Sequence, residues 1–324
     1  WMFLSSYELL RQRLVNEKTI DSLIQLSVHG FRGIAAQVCT FVIRNKRVSG
    51  YRGGHVRLND FDHWTLQEKK TLEAIANPDC GWFYRRNAET FKQIPGTPIA
   101  YWLSDAAIKN MASLPSLSYY AQPKQGMVTR DNKRFMRSWW EIGLIDFEDA
   151  IQSHEEARES KAKWLPCTSG GQFRKWFGNN QDVIFWEHDG AELIEFSGSH
   201  IKNRQFYFLP AVTWSSISSG AFSTRYVSSG YLPEHAGNCL YTDESTLALI
   251  QGIANSSIAL FFMSLLAPSL NFNVGDVARI PIVRPSDCNQ QNEIVNYVRA
   301  LRHESKNDWD SFETSWDFKR HPLV

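Results

Sequence analysis

Residues 122–140 read QPKQGMVTRDNKRFMRSWW, a stretch in which Lys124, Arg130, Lys133, Arg134 and Arg137 stand against a single acid, Asp131. These residue types suit nucleic acid. Gln122, Gln125 and Asn132 carry planar amides that can meet an adenine edge with two hydrogen bonds, and arginine can do the same to guanine. The lysines are candidate phosphate contacts. Gly126 supplies backbone freedom where a loop approaches a ligand, and the Trp139 and Trp140 pair is read as the anchor of the loop on a core. The competing reading is a solvated basic turn between two elements.

Two further stretches repeat the chemistry. FRKWFGNN (173–180) places Arg174, Lys175, Asn179 and Asn180 in a glycine- and amide-bearing turn, a second candidate approach to a duplex. TWSSISSGAFSTRY (213–226) offers the hydroxyls of Ser215, Ser216 and Ser218 together with Arg225. Hydroxyls meet phosphate and groove edges without strong base preference, so this loop is expected to position more than to specify.

QGMVTRDNKRFMRSWWEI (125–142) is similar to the QG-x-x-T-x-x-N-x-R-F-x-R-x-W block in the target-recognition region of PglX, the single-chain adenine DNA methyltransferases of bacterial BREX phage-defence systems. The resemblance adds Thr129 to the candidate contacts. It continues in FKQIPGTPIAYWLS (91–104), in 173–180 with VIFWEHDG (183–190), in 213–226, in LNFNVGDVARIPI (270–282) and in DWDSFETSWDFKRHPL (308–323). What it implies is a fold of mixed α/β and α+β type. The trailing edge of a class I methyltransferase sheet (residues 1–60) precedes a DNA target-recognition domain (61–285) and a C-terminal helical segment (286–324). The implied partners are double-stranded DNA, an upstream catalytic domain of the same protein and other BREX proteins. S-adenosylmethionine is the implied cofactor of the parent enzyme, with none expected in this chain. The N-P-P-Y or D-P-P-Y clamp of such enzymes does not occur; Asn77, Pro78, Asp79 and Cys80 form the nearest string. No glycine-rich cofactor turn follows a first strand, so no catalytic residue is assigned. The chain is expected to begin inside something larger and to bind DNA without methylating it. Phe31, in the HGFRGIAAQ loop, is the candidate contact to an extruded base, against the alternative of a ring tucked on the sheet.

Composition sets bounds on these readings. At 324 residues and 43% hydrophobic the chain can bury two cores, and its most apolar run, 257–266, is too short to span a bilayer. It is read as a buried helix ending at Pro268, in a bacterial cytoplasmic protein with no membrane partner. Five scattered cysteines show neither a C-x-x-C pair nor zinc-finger spacing, so reduced thiols and no metal are expected. A net charge of +1 is low for a nucleic-acid binder and requires any binding field to be local. It favours the rival reading, a protein-interaction module of a defence complex. A type I restriction specificity subunit is opposed by the lack of a second copy of the recognition fold.

Periodicity predicts a helix over 7–15, strands over 19–28 and 38–44, and a linker over 48–62. A helix follows over 65–76, with Thr65 as its cap. Further helices are expected at 104–111, within 147–163, at 243–255, at 257–266, and over 293–303 and 308–318. Strands are expected at 183–186, 206–208 and 271–282. The E-x-K triplets at Glu68, Glu159 and Glu304 lack a partner aspartate on a preceding strand, and no G-x-S-x-G surrounds the serines, which sets aside nuclease and serine-hydrolase readings.

Overall fold

In the computed structural model, the alternating stretch TIDSLIQ forms β1 (Thr19–Gln25), preceded by α1 (Glu8–Glu17) and paired antiparallel with β2 (Cys39–Arg44). The structure describes every residue except Phe3, Leu4, Pro268, Ser269 and Val324. The expected stop at Pro268 therefore lies outside the described residues. Beyond β2 come β3 (Arg52–Arg57), α2 (Trp64–Ala76), β4 (Phe83–Asn87) and α3 (Asp105–Ser113). The sheet order is β2-β1-β3-β4, with β1 and β3 parallel and the outer pairings antiparallel. Successive β1 side chains serve opposite faces: Leu23 joins Val15, Phe91 and Tyr101, while Ile24 packs with Val56 and Ala74.

The glycine-bearing stretch 48–62 is thus no linker. It holds β3, which pairs on both edges, and the compact units divide after Leu114 instead of near Asp60. The α2 cap differs as well. His63 takes the N-cap, its ring nitrogen accepting from the Thr65 N–H, so Thr65 lies inside the helix.

The second unit, Pro115–Val324, opens with α4 (Leu117–Tyr120), β5 (Gln122–Lys124), α5 (Asn132–Phe135) and β6 (Met136–Ser138). Then follow α6 (His154–Glu159), β7 (Trp164–Thr168), β8 (Asp182–Phe185), α7 (Glu187–Glu195), β9 (Ala211–Ser215), β10 (Thr224–Val227), β11 (Leu232–Pro233) and β12 (Gly237–Tyr241). The chain closes with α8 (Glu244–Ala254), α9 (Ser257–Leu266), α10 (Val274–Val277) and α11 (Cys288–Asp310). Two four-stranded sheets result, β10-β9-β12-β5 and β11-β7-β8-β6. One core cluster, with Phe135, Leu165, Ile184, Trp186 and Phe208 almost fully buried, lies under the second sheet.

Several expected elements differ. Residues 206–208 are no strand: Asn203 in the left-handed region opens a 3-10 turn, Arg204–Phe206, and Phe208 also takes positive φ. Only α6 forms within 147–163. The span 271–282 holds α10 and isolated bridges instead of a strand, because Asn273 starts a helical turn. The helix expected over 308–318 is replaced by the end of α11 and a run of turns. Nor is 286–324 a separate segment, since Val295 and Val298 of α11 pack on Ala248 and Leu249 of α8. Among the described residues no single helix is long and apolar enough to cross a membrane; α8 and α9 meet that test only as a pair bent by 75°, and seven of the eleven residues of α8 are buried.

His55 in β3 is 1% exposed, stacked on Tyr101 at 4.8 Å, with Nδ1 bonded to the Gly53 carbonyl. Burial pushes its pKa from 6.5 to about 4. Between these values unfolding takes up a proton, so stability is full above pH 6.5 and falls as pH drops towards 4. The loss from this group amounts to about 3 kcal/mol. Urea unfolding of the wild type and His55→Phe across this window should show a shallower acid loss in the variant; parallel curves would refute the assignment.

Candidate nucleic-acid interface

The two sheets of the second unit meet where backbone approaches backbone without side chains between. β11 belongs to one sheet and β12 to the other, so the turn between them, residues 234–236, carries the chain across. Thr168 Oγ1, at the end of β7, donates to the Gly237 carbonyl at 2.6 Å. A Cβ on Gly237 would stand 2.7 Å from the Ser169 carbonyl oxygen, which explains glycine there. Gly126 is confined in the same way, its missing Cβ position 2.6 Å from the Pro233 carbonyl oxygen and closer still to the Glu234 carbonyl. This proximity lets the Met127 N–H donate to Pro233 and the His235 N–H donate to Met127, both at 2.8 Å. Its role is therefore close approach within the fold, not freedom to reach a ligand.

Asn238 ties the loops together. Its Oδ1 accepts from the Gly126 N–H at 3.3 Å, and its Nδ2 donates to Ser216 Oγ at 2.8 Å. Ser216 Oγ donates in turn to the His235 carbonyl, and Ser215 Oγ to the Gly171 carbonyl. The 173–180 segment joins through Trp176, whose N–H donates to the Thr224 carbonyl and whose carbonyl accepts from the Tyr226 N–H. All three stretches singled out in the sequence thus converge; their exposed tips include Phe173 and Ile217, and His235 is exposed on the adjoining 234–236 turn.

Within this framework the predicted contacts separate. Thr129, Asn180, Ser215 and Arg225 are buried and build the loops rather than face outward. Thr129 Oγ1 donates to Asn132 Oδ1, which ties that amide to its own loop. Arg134 pairs with Glu192 at 2.7 Å and Arg174 with Asp308 at 2.7 Å. Lys175 Nζ donates to the Asn255 carbonyl, and Asn179 Nδ2 to that of Gln172. Lys124 stands over the Phe206 ring at 5.0 Å, and Ser218 Oγ accepts from the Gly220 N–H to close its turn. That leaves Gln122, Arg130 and Lys133 exposed, and Gln125 and Ser216 part-exposed. Arg130 and Lys133 have no ion-pair partner among the described residues. The expected tryptophan anchor is also corrected. Trp140 is 51% exposed, and it is Phe135, fully buried, that pins this stretch to the core. Phe31 belongs to the first unit, half exposed beside a bridge to Ile34.

Arg225 gives the cluster its charge. It is 1% exposed; among the described residues its guanidinium donates only to Ser215 Oγ at 3.3 Å and the Ser169 carbonyl at 3.4 Å, and Nε has no partner. Burial pushes its pKa down to about 10, still charged at neutral pH, and no carboxylate contributes to that shift. A fixed cation is thus buried beside Ser215 and Ser169, in a chain of net charge +1 whose exposed cations include Arg130 and Lys133.

Sequence reasoning missed the turn that adds Lys202. Buried Asp189 accepts from Arg204 at 2.7 Å and from Trp186 Nε1 at 3.2 Å, which fixes residues 203–204. Asn203 Nδ2 then donates to the Gln125 carbonyl and Lys202 Nζ reaches Gln125 Oε1 at 3.4 Å. The string IKNR carried the signal, a cation beside an asparagine suited to the left-handed region. Asn238 and His235 had none, because their role comes from strand switching between sheets.

Over its whole length the chain is 34% identical to the adenine-specific methyltransferase PglX of Lacticaseibacillus casei (strain Zhang). It is 33% identical, again over its whole length, to the adenine-specific methyltransferase BrxX of Escherichia coli O9:H4 (strain HS). It spans 27% and 26% of those proteins. Among solved structures it is similar to the type IIL restriction-modification enzyme MmeI in complex with DNA, with a TM-score of 0.54 at 14% identity, covering 98% of this chain and 43% of that one. That likeness concerns the fold. No protein-family profile matches the chain.

The junction yields a stability test. Gly126→Ala forces a Cβ against the Glu234 and Pro233 carbonyls, which overpacks the junction by about 1 to 3 kcal/mol. Gly275→Ala, where nothing lies within 4 Å, serves as the control. Thermal unfolding should show a lowered midpoint for the first and a near-native one for the second; equal midpoints would contradict the close approach.

Proposed function

Because the whole chain is similar to about a quarter of the length of the PglX and BrxX adenine-specific methyltransferases, we propose that it is the DNA target-recognition portion of such an enzyme. One observation carries the reading: three sequence-distant loops come together, tied by Asn238, by the Gly126 and Gly237 approach and by the Trp176 bonds to Thr224 and Tyr226, with Arg225 buried among them. Loops presented by rigid strands are suited to reading a groove, and cations on the rim fix register on phosphate.

In this proposal Arg130, Lys133 and Lys202 hold phosphate, Gln125 reads a base edge, and Gln122, Ser216 and His235 line the contact. Arg134, Arg174 and Lys175 brace the loops through their internal partners. The hairpin of β1 and β2 is the trailing edge of a class I methyltransferase sheet, and Phe31 at its loop faces an extruded adenine. We assign S-adenosylmethionine binding and methyl transfer to the part of the relatives that this chain does not span. The complete protein would act in the bacterial cytoplasm in BREX-type defence, alongside other proteins of that system.

The test separates holding from reading. Alanine at Arg130, Lys133 and Lys202 should flatten the slope of log affinity against log salt by about 0.9 for each lost contact. Arg134→Ala should leave that slope nearly unchanged. Gln125→Ala should keep the slope while reducing discrimination between duplexes differing at one base pair by about tenfold, as a lost bidentate contact does. Fluorescence anisotropy across a salt series reads all three. Unchanged affinity of the triple variant for every duplex would overturn the proposal.

A further inference from the structure

The loop that leaves β9 is clipped at residues 216–218 to the chain at 270–272. The Ser218 N–H donates to the Leu270 carbonyl at 3.0 Å and the Phe272 N–H to the Ser216 carbonyl at 2.8 Å, so Ile217 and Asn271 stand opposite one another as the antiparallel pair those bonds flank. Such a pair sends both its side chains to one face of the ribbon and the flanking residues to the other. That other face is turned inward. Phe272 is 7% exposed, packs on Phe222 at 5.3 Å, and its carbonyl accepts from the Trp214 indole N–H at 2.9 Å. Ile217 is therefore held outward, and it is 63% exposed. Ser216 secures the clip to the 234–236 turn, its N–H donating to the Ala236 carbonyl at 2.8 Å and its Oγ to that of His235.

An aliphatic side chain presented in this way has a narrow use. Its neighbour on the same face, Asn271, is exposed and polar, while Leu270, the other exposed apolar residue of the clip, lies on the opposite face beside Ser218. On its outward face the clip thus offers one aliphatic group beside an amide, not the contiguous apolar area that marks a protein interface. The other accessible side chains of the loop, those of Ser216, Ser218 and Ser219, are hydroxyls, which meet phosphate or either groove edge with little preference. Ile217 differs from them in kind. Among the base edges of the major groove only thymine carries an apolar group, its 5-methyl, and an aliphatic side chain against that group discriminates without a hydrogen bond.

We propose that Ile217 reads the 5-methyl group of one thymine in the recognised duplex, an inference that rests on the DNA-recognition reading above and gives part of its specificity to an uncharged residue. A randomised duplex library selected by the chain and sequenced supplies the site, and replacing each thymine of that site in turn by uracil removes one methyl group while keeping the base pair. At one position the wild type should lose about fourfold in affinity, as loss of one buried methyl contact does. Ile217→Ser should bind the thymine duplex about as weakly as the wild type binds the uracil one, with no further loss when uracil is placed there. Its slope of log affinity against log salt should stay that of the wild type, since no charge is removed, and its unfolding midpoint should too, since the side chain is exposed. Ile217→Leu, which keeps an aliphatic side chain, should retain part of the thymine preference. A library that yields no site, a site that tolerates uracil at every thymine, or a uracil loss that persists in Ile217→Ser would overturn this assignment, while salt-dependent duplex binding would still uphold the reading it rests on. Absence of any duplex binding would overturn both.

Discussion

The constraint on which the second unit depends is the contact of bare backbone at Gly126 and Gly237. A chain that leaves one sheet as β11 and enters the other as β12 must bring its turn against β7 and against the stretch following β5. Side chains at those two positions would hold the strands apart, since each added Cβ falls within 3 Å of a neighbouring carbonyl. With glycine in place, Thr168, Met127 and His235 complete their hydrogen bonds, and Asn238 comes within reach of both Gly126 and Ser216. The loop rim is thus a consequence of sheet junction geometry. Its precision comes from strands and not from the loops' own turn chemistry.

Charge follows the same logic. A net charge of +1 gives no broad field, and Arg134 of the central stretch with Arg174 and Lys175 of the 173–180 stretch are taken up by Glu192, Asp308 and a backbone carbonyl. What remains is a small set of exposed cations, with Arg225 buried among the loops without a carboxylate. Burying such a charge is unfavourable, and the fold accepts it with only two long hydrogen bonds. Local placement, not total charge, is what a near-neutral protein has available for attracting a polyanion.

The legible part of the fold was its regular part. α1, β1, β2, α8 and α9 follow from periodicity and caps, with Asp243 and Ser256 accepting from backbone N–H groups as Ser and Asp caps do. The errors share a cause. Glycine in 48–62 suggested a linker, although a strand paired on both sides tolerates glycine where neighbours crowd it. The aromatic run at 206–208 and the apolar residues of 271–282 suggested strands, although asparagines at 203 and 273 start helical turns. At the site, residue type was informative about chemistry and silent about burial. Thr129 and Arg225 have the composition of contacts and the environment of scaffold, and only tertiary packing separates the two. Lys202 was legible in principle from its turn; Asn238 was not, because nothing local announces a residue that staples two loops.

The measurement that bears most directly on this account is hydrogen–deuterium exchange of the chain with and without mixed-sequence duplex DNA at low salt. Slowed exchange should concentrate at residues 125–130, 172–173, 200–203 and 216–220 and at His235, the tips that the junction brings together. Protection spread over α11 and the first unit, or bound DNA with no protection at these tips, would contradict it.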